Sequence, residues 1–247
     1  MNDALEQIIN RNDTWRGRQR RFHHHEPSAN SDSHTGAGLA TGYIGLNTQL
    51  DQGGWPLDTT IELLSDSNGL GAMGLFLPAM EQLSEQGRWQ VFIAPPYIPY
   101  APLLAARGID TQQVLLVHPK TRQDLLWSTE QALRSSTCSA VFSWLGTHNY
   151  SYGELRKLQL AAGNGDSLAV LFRPTAAAHN HAPASLRLQM REYRRVHILK
   201  QRGGNQHIHV DLPQAEDVPG QPQLWELPTV PAGKGHGTAM EACSPVA

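Results

Sequence analysis

The chain has 247 residues, 20 of them basic and 22 acidic, for a net charge of −2, and it carries two cysteines. Such a length can bury a core without disulfide staples. The charge balance excludes a polycation built for non-specific nucleic-acid binding, and Cys138 in an apolar run with Cys243 near the end is no disulfide framework.

Residues 1–38 are expected to form a short helix, with Leu5, Ile8 and Ile9 on one side, followed by a flexible basic arm. These first residues are too polar for a signal peptide, and no apolar run reaches membrane-spanning length, so a soluble cytoplasmic protein is expected. In the arm, Trp15 stands among Arg11, Arg16, Arg18, Arg20 and Arg21, a set suited to stacking on a base or folding against a partner. His23, His24 and His25 follow without the spacing or the cysteine companions of a structural zinc site, and His179 and His181 lie in a polar loop.

Residues 39–205 read as one α/β domain. Apolar runs at 59–64, 88–94, 113–117, 138–144 and 167–173 predict strands, with helices between them at 72–86, 100–107, 122–136 and 151–163. Strands apolar on both faces that alternate with helices predict a mainly parallel sheet covered on two sides. Residues 185–191 and 194–200 alternate polar with apolar and predict an antiparallel hairpin at the sheet edge. Residues 206–247, rich in Pro, Gly and Gln, predict a disordered tail.

Between the first strand and the first long helix lies "SDSNGLGAMGL", residues 65–75. A phosphate loop there would need backbone N–H groups, a lysine and a Ser or Thr to hold Mg²⁺. Gly69 and Gly71 would make the turn. The lysine and hydroxyl positions hold Gly71 and Ala72, or Ala72 and Met73 one register on. The alternatives are a degenerate phosphate loop and a turn that only caps the next helix; neither supports phosphoryl transfer or a bound cofactor.

Three other features invite partners. Arg187, Arg191, Arg194, Arg195, Lys200 and Arg202 on the hairpin would form a positive strip for phosphates or an acidic protein, or else a solvated edge-protecting face. The segment from Tyr97 to Pro102, with Tyr100 inside it, is rich in proline and aromatics at the C-terminal end of a strand, where open parallel sheets dock ligands. In the tail, Gln221, Leu224 and Trp225 have the shape of a short sliding-clamp peptide, although Pro222 departs from it. Trp55, Trp89, Trp127 and Trp144 are expected to anchor the core and its rim. No Ser/His/Asp set, paired carboxylates or Cys/His cluster stands out, so no metal and no catalytic residues are expected.

The stretches 92–119 and 132–144 resemble the ATPase core of the RecA family. That resemblance implies a glutamate after the second strand and an aspartate at the end of the fourth; Ala94, Pro95 and Pro96 stand at the first place, and Ser143 and Trp144 at the second. More specifically, "DTWRGRQ" (13–19), "GLNTQLDQGGWPLDTTIELL" (45–64), "GRWQVFIAPPYIPYAPLLAARGID" (87–110), "LRKLQLAAGNGDSLAVLFRP" (155–174) and "VHILKQRGG" (196–204) resemble the ImuA family of translesion-synthesis proteins, often described as SulA-like or RecA-like. The resemblance spans roughly residues 1 to 205. It implies a non-catalytic accessory of the SOS response to DNA damage, docking an ImuB-type polymerase homologue and a DnaE-type error-prone polymerase, with RecA as a further partner. The alternative is a SulA-like inhibitor of cell division that binds FtsZ; the "DTWRGR" arm and the Lys-Gln-Arg-Gly-Gly end favour the first reading.

Overall fold

The structure is a computed structural model, and it describes residues 38–66 and 70–212. Helix α1 (Ile44–Asn47) leads to strand β1 (Thr60–Leu64), α2 (Leu70–Gly74) and α3 (Leu77–Ser84). Next come β2 (Trp89–Ile93), α4 (Ala101–Ala106), β3 (Val114–Val117), α5 (Arg122–Arg134), β4 (Cys138–Trp144), α6 (Tyr152–Gly165) and β5 (Leu168–Arg173). Strands β6 (Leu186–Glu192), β7 (Arg195–Gln201) and β8 (Ile208–Asp211) close the order. All eight strands form one sheet, ordered β3-β2-β4-β5-β1-β6-β7-β8. The six from β3 to β6 are mutually parallel, and β7 and β8 add on antiparallel.

Alternation along each strand divides the core in two. Ile61, Leu63, Phe92, Phe142, Val170 and Phe172 face a cluster with Trp55, Phe76 and Met80 from the segments around α1–α3. Val91, Ile93, Val141, Ala169 and Leu171 face Leu125 and Leu133 of α5 and Leu155, Leu158 and Ala162 of α6. Each fully buried Phe or Leu removes its side chain from water for about 1.5–3 kcal/mol, so the two layers are the main source of stability.

The two long helices begin at capping boxes written in the sequence. Thr121 accepts from the Asp124 N–H while the Asp124 carboxylate accepts from the Thr121 N–H. Ser151 and Glu154 repeat the arrangement. The turn Gly53-Gly54-Trp55-Pro56 has a steric reason. Trp55 exchanges backbone hydrogen bonds with Leu39, at 2.6 and 2.9 Å. A Cβ on Gly54 would lie 2.3 Å from the Leu39 carbonyl oxygen, so only glycine fits.

Several expectations are corrected. The helix predicted over 72–86 is two pieces, because Pro78 cannot continue the N–H ladder and sits in the first turn of α3. The hairpin β6–β7 is not the sheet edge: β6 lies between β1 and β7, and β8 pairs with β7. Ile208–Asp211, assigned by composition to the tail, therefore lies within the sheet. Trp55 is wholly buried, whereas Trp127 is 65 % exposed on α5 and anchors neither core nor rim.

Candidate functional site

A cleft of about 910 Å³ opens at the C-terminal ends of β1 to β5. In an open parallel sheet this is the end where the loops converge and the helix-forming segments depart. Its floor is aromatic: the Trp144 and Phe172 rings stack at 4.3 Å and 8°, with Phe92 stacked on Trp144 at 6.1 Å. One wall is the loop after β2. Ala94 has φ +52°, a left-handed conformation that a non-glycine residue adopts at a cost of about 1–2 kcal/mol. Its N–H donates to the Val117 carbonyl at 2.8 Å, so the turn is held from β3. Beyond it Pro95 and Pro96 carry the chain outward, and Tyr97, Ile98 and Tyr100 are 69, 76 and 59 % exposed. Of the Tyr97–Pro102 segment, Tyr97 to Tyr100 lie on the cleft's rim, and Ala101 and Pro102 begin α4.

The charged groups around the cleft are mostly committed. Asp66, after β1, accepts from the Thr175 N–H at 2.9 Å and from its hydroxyl, and these bonds lower the carboxyl's pKa below the usual range. Arg122 reaches both oxygens of Glu154, at 2.7 and 2.8 Å, and lies 4.7 Å over the Tyr150 ring. The Ser151 N–H, followed by Arg122, takes Glu154 down to about 2. Lys120 is exposed at the mouth.

At the positions where the RecA resemblance implies acids, Ala94 has no functional group, and Ser143 points to the α5 side, where its hydroxyl meets that of Thr129 at 2.8 Å. Trp144 takes the cleft face instead. Gly69 lies outside the described residues; Gly71, Ala72 and Met73 fall in α2, a five-residue helix, with Ala72 buried. Among the described residues no group of three His, Cys, Asp or Glu side chains is placed to hold a metal ion.

The positive strip expected on the hairpin does not form. Arg187 is buried, its Nε 2.8 Å from Glu62 on β1 and its Nη2 2.8 Å from the Ala177 carbonyl. A register shift between Arg187 and Leu188 breaks the alternation and brings Lys200 beside Arg187, where Lys200 donates to the Ala182 carbonyl at 3.1 Å. Burial, then the Arg187 charge, lowers the Lys200 pKa. Arg195 is paired with Asp211 at 2.6 Å and with Glu192 at 3.3 Å. The Arg194 guanidinium sits 5.0 Å over the Tyr193 ring, while Arg191 and Arg202 are exposed. Six cations in sequence are therefore not one surface: β6 is an interior strand, and acids on β1 and β8 draw the charges apart. Trp15, Arg16, Arg18, Gln221, Leu224 and Trp225 lie outside the described residues.

Sequence reasoning missed the centre that explains Arg187. Glu62, wholly buried in β1, is held by Arg173 of β5 at 3.0 Å and Arg187 of β6 at 2.8 Å. The signal was present: a glutamate inside a both-faces-buried strand, Thr60-Ile61-Glu62-Leu63-Leu64, must find cations in the interior. Arg187 is further satisfied by the Ala177 and Ala178 carbonyls, so this cluster ties the segment after β5 to the sheet beside the cleft.

Part of the chain is similar to known proteins. The model of the family "Cell division inhibitor SulA" matches residues 50–169. The cell division inhibitor SulA of Edwardsiella piscicida is 33 % identical over 100 residues, 40 % of this chain and 58 % of that protein. The SulA of Citrobacter koseri is 31 % identical over 108 residues, 44 % of this chain and 63 % of its own. The chain thus spans about three-fifths of the length of these relatives. The crystal structure of SulA from Pseudomonas aeruginosa is 30 % identical over 46 % of this chain and 97 % of that one, with a TM-score of 0.37. The matched stretch runs from the turn before β1 to the start of β5; β6, β7 and β8 lie beyond it.

Proposed function

We propose that this chain, which matches the SulA family model over residues 50–169, serves the DNA-damage response by docking a protein partner at the cleft and catalyses no reaction. The observation that carries this reading is the exchange of chemistry for surface: Ala94, Ser143 and Trp144 stand where an ATPase of the RecA type would keep its acids, and Tyr97, Ile98 and Tyr100 project from the same rim. The strand order, with β1 between β5 and β6 and β4 between β2 and β5, supports reading the sheet as a RecA-type core that has given up its nucleotide. Phosphoryl transfer rests on placed charges, and this cleft offers them poorly.

The family relationship favours a partner in cell division, FtsZ, with the protein acting as a damage-induced division inhibitor in the cytoplasm. One observation favours a second reading, an adaptor for an ImuB-type polymerase homologue and a DnaE-type polymerase, with RecA as a further contact. Motifs that resemble the ImuA family, at 13–19 and 196–204, fall outside the SulA match, and the second of them builds β7 and the turn after it. There Gly203, at φ +89°, packs so close to the Asp51 carboxylate that a Cβ would lie 2.6 Å from it. Co-purification with FtsZ, ImuB and RecA in parallel tests both readings. FtsZ capture together with slowed FtsZ polymerisation supports the first, and ImuB capture alone supports the second. Capture of none, or steady phosphate release from ATP by the pure protein, defeats the proposal.

A further inference from the structure

The cleft has a built-in candidate occupant. Strand β8 runs parallel to β1, since β7 is antiparallel to both β6 and β8. Its last residue, Asp211, pairs with Arg195 at the same sheet end as Leu64 and Arg173, and the Leu212 N–H donates to the Arg194 carbonyl at 2.7 Å. The chain therefore leaves the sheet on the cleft side. From β8 to β4, where Trp144 forms the cleft floor, the path crosses β7, β6, β1 and β5, five inter-strand steps or about 24 Å. Residues 213–224 reach up to about 40 Å when extended, enough to bring Leu224 and Trp225 there.

We propose that the segment around Leu224 and Trp225 docks in cis on the rim formed by Tyr97, Ile98 and Tyr100 and on the Trp144–Phe172 floor. The chemistry is complementary. Residues 213–233 contain Glu216, Asp217 and Glu226 and no lysine or arginine, whereas Lys120 is exposed at the mouth of the cleft. Leu224, Trp225 and Leu227 supply an aliphatic and aromatic face for exposed side chains that otherwise meet water. Tethering holds such a segment at an effective concentration of roughly millimolar, so even a weak contact occupies the cleft most of the time. The cleft is then a site for acidic, tryptophan-bearing peptides that an external partner must win from the tail. This inference rests on reading the cleft as a docking surface, but its test needs no partner protein.

The test uses the full chain and a fluorescein-labelled 213–230 peptide. In the Leu224→Ala, Trp225→Ala double variant the cleft is vacated, so the peptide should bind about tenfold more tightly than to the parent, as expected for a site open about a tenth of the time. Amide exchange over 95–102 should also quicken in the variant, while that of β7 and β8 stays unchanged. Tyr97→Ala, Tyr100→Ala should remove peptide binding. Equal affinity for parent and double variant overturns the proposal. So does the absence of binding to either, binding indifferent to Tyr97 and Tyr100, or a concentration-dependent dimer showing the tail seated on a second copy. Failure to capture FtsZ or ImuB, with these results intact, would remove only the partner assignment.

Discussion

Glu62→Gln is the substitution that most directly tests how this sheet is held together. It keeps the shape and one carbonyl oxygen but removes the charge that Arg173 and Arg187 share, at 3.0 and 2.8 Å. All three side chains are almost free of solvent, at 1 %, 2 % and 8 % exposure. Removing one member of a buried ionic set costs about 3–5 kcal/mol, because the remaining charges lose their compensation inside the protein. The amide retains some hydrogen bonding, so the lower end, about 3 kcal/mol, is expected. For a chain of this size that corresponds to a fall in Tm of roughly 6–12 °C. Urea denaturation followed by far-ultraviolet circular dichroism measures the loss. Arg173→Met alone and combined with Glu62→Gln completes a double-mutant cycle, in which a coupling above about 1 kcal/mol is expected for groups in one network. A loss for Glu62→Gln below about 1 kcal/mol, or additive single substitutions, would show that the cluster is hydrated and would refute the reasoning.

Glu154 has its folded pKa depressed from 4.5 to about 2, so the stability it adds is complete above its unfolded value and disappears as pH falls from about 4.5 through about 2. Glu154→Gln should flatten that part of an acid-denaturation curve while leaving the neutral range less stable, and an unchanged acid limb would contradict this. Gly54→Ala places a methyl group against the Leu39 carbonyl; a loss of about 1–3 kcal/mol is expected by chemical denaturation, and a neutral effect would mean that the turn is free to shift. Tyr97→Ala, Tyr100→Ala should leave the melting temperature within about 1 °C of the parent, since surface substitutions cost little, while abolishing capture of the partner; a partner that still binds is docking elsewhere.

Much of the fold is legible in the sequence because both-face burial leaves local traces. The five apolar runs became β1–β5, and the helices expected at 122–136 and 151–163 became α5 and α6, whose capping boxes at Thr121/Asp124 and Ser151/Glu154 the structure reveals. The break at Pro78 was available but outweighed by the helical periodicity around it. The eighth strand was hidden, since Ile208-His209-Val210-Asp211 is short and borders Pro-rich material, so composition suggested a tail. For the site, the position of Tyr97 and Tyr100 followed from their place after a strand. The hairpin arginines were misread, because charge counted along a chain says nothing of which acid lies across the sheet. Arg187 is explained by Glu62, 125 residues away, and Arg195 by Asp211 in a strand that composition did not reveal.

The buried ion set also governs how this molecule tolerates dissection. The segment shared with SulA ends at residue 169, yet both guanidinium groups that neutralise Glu62, at Arg173 and Arg187, come after it. A clone truncated at that boundary would strand a bare carboxylate in the middle of the sheet and expose a flank of β1 normally covered by β6. The limit of inherited similarity is therefore not a limit of autonomous folding, and chimeras with a SulA-type protein need to carry both arginines across the junction.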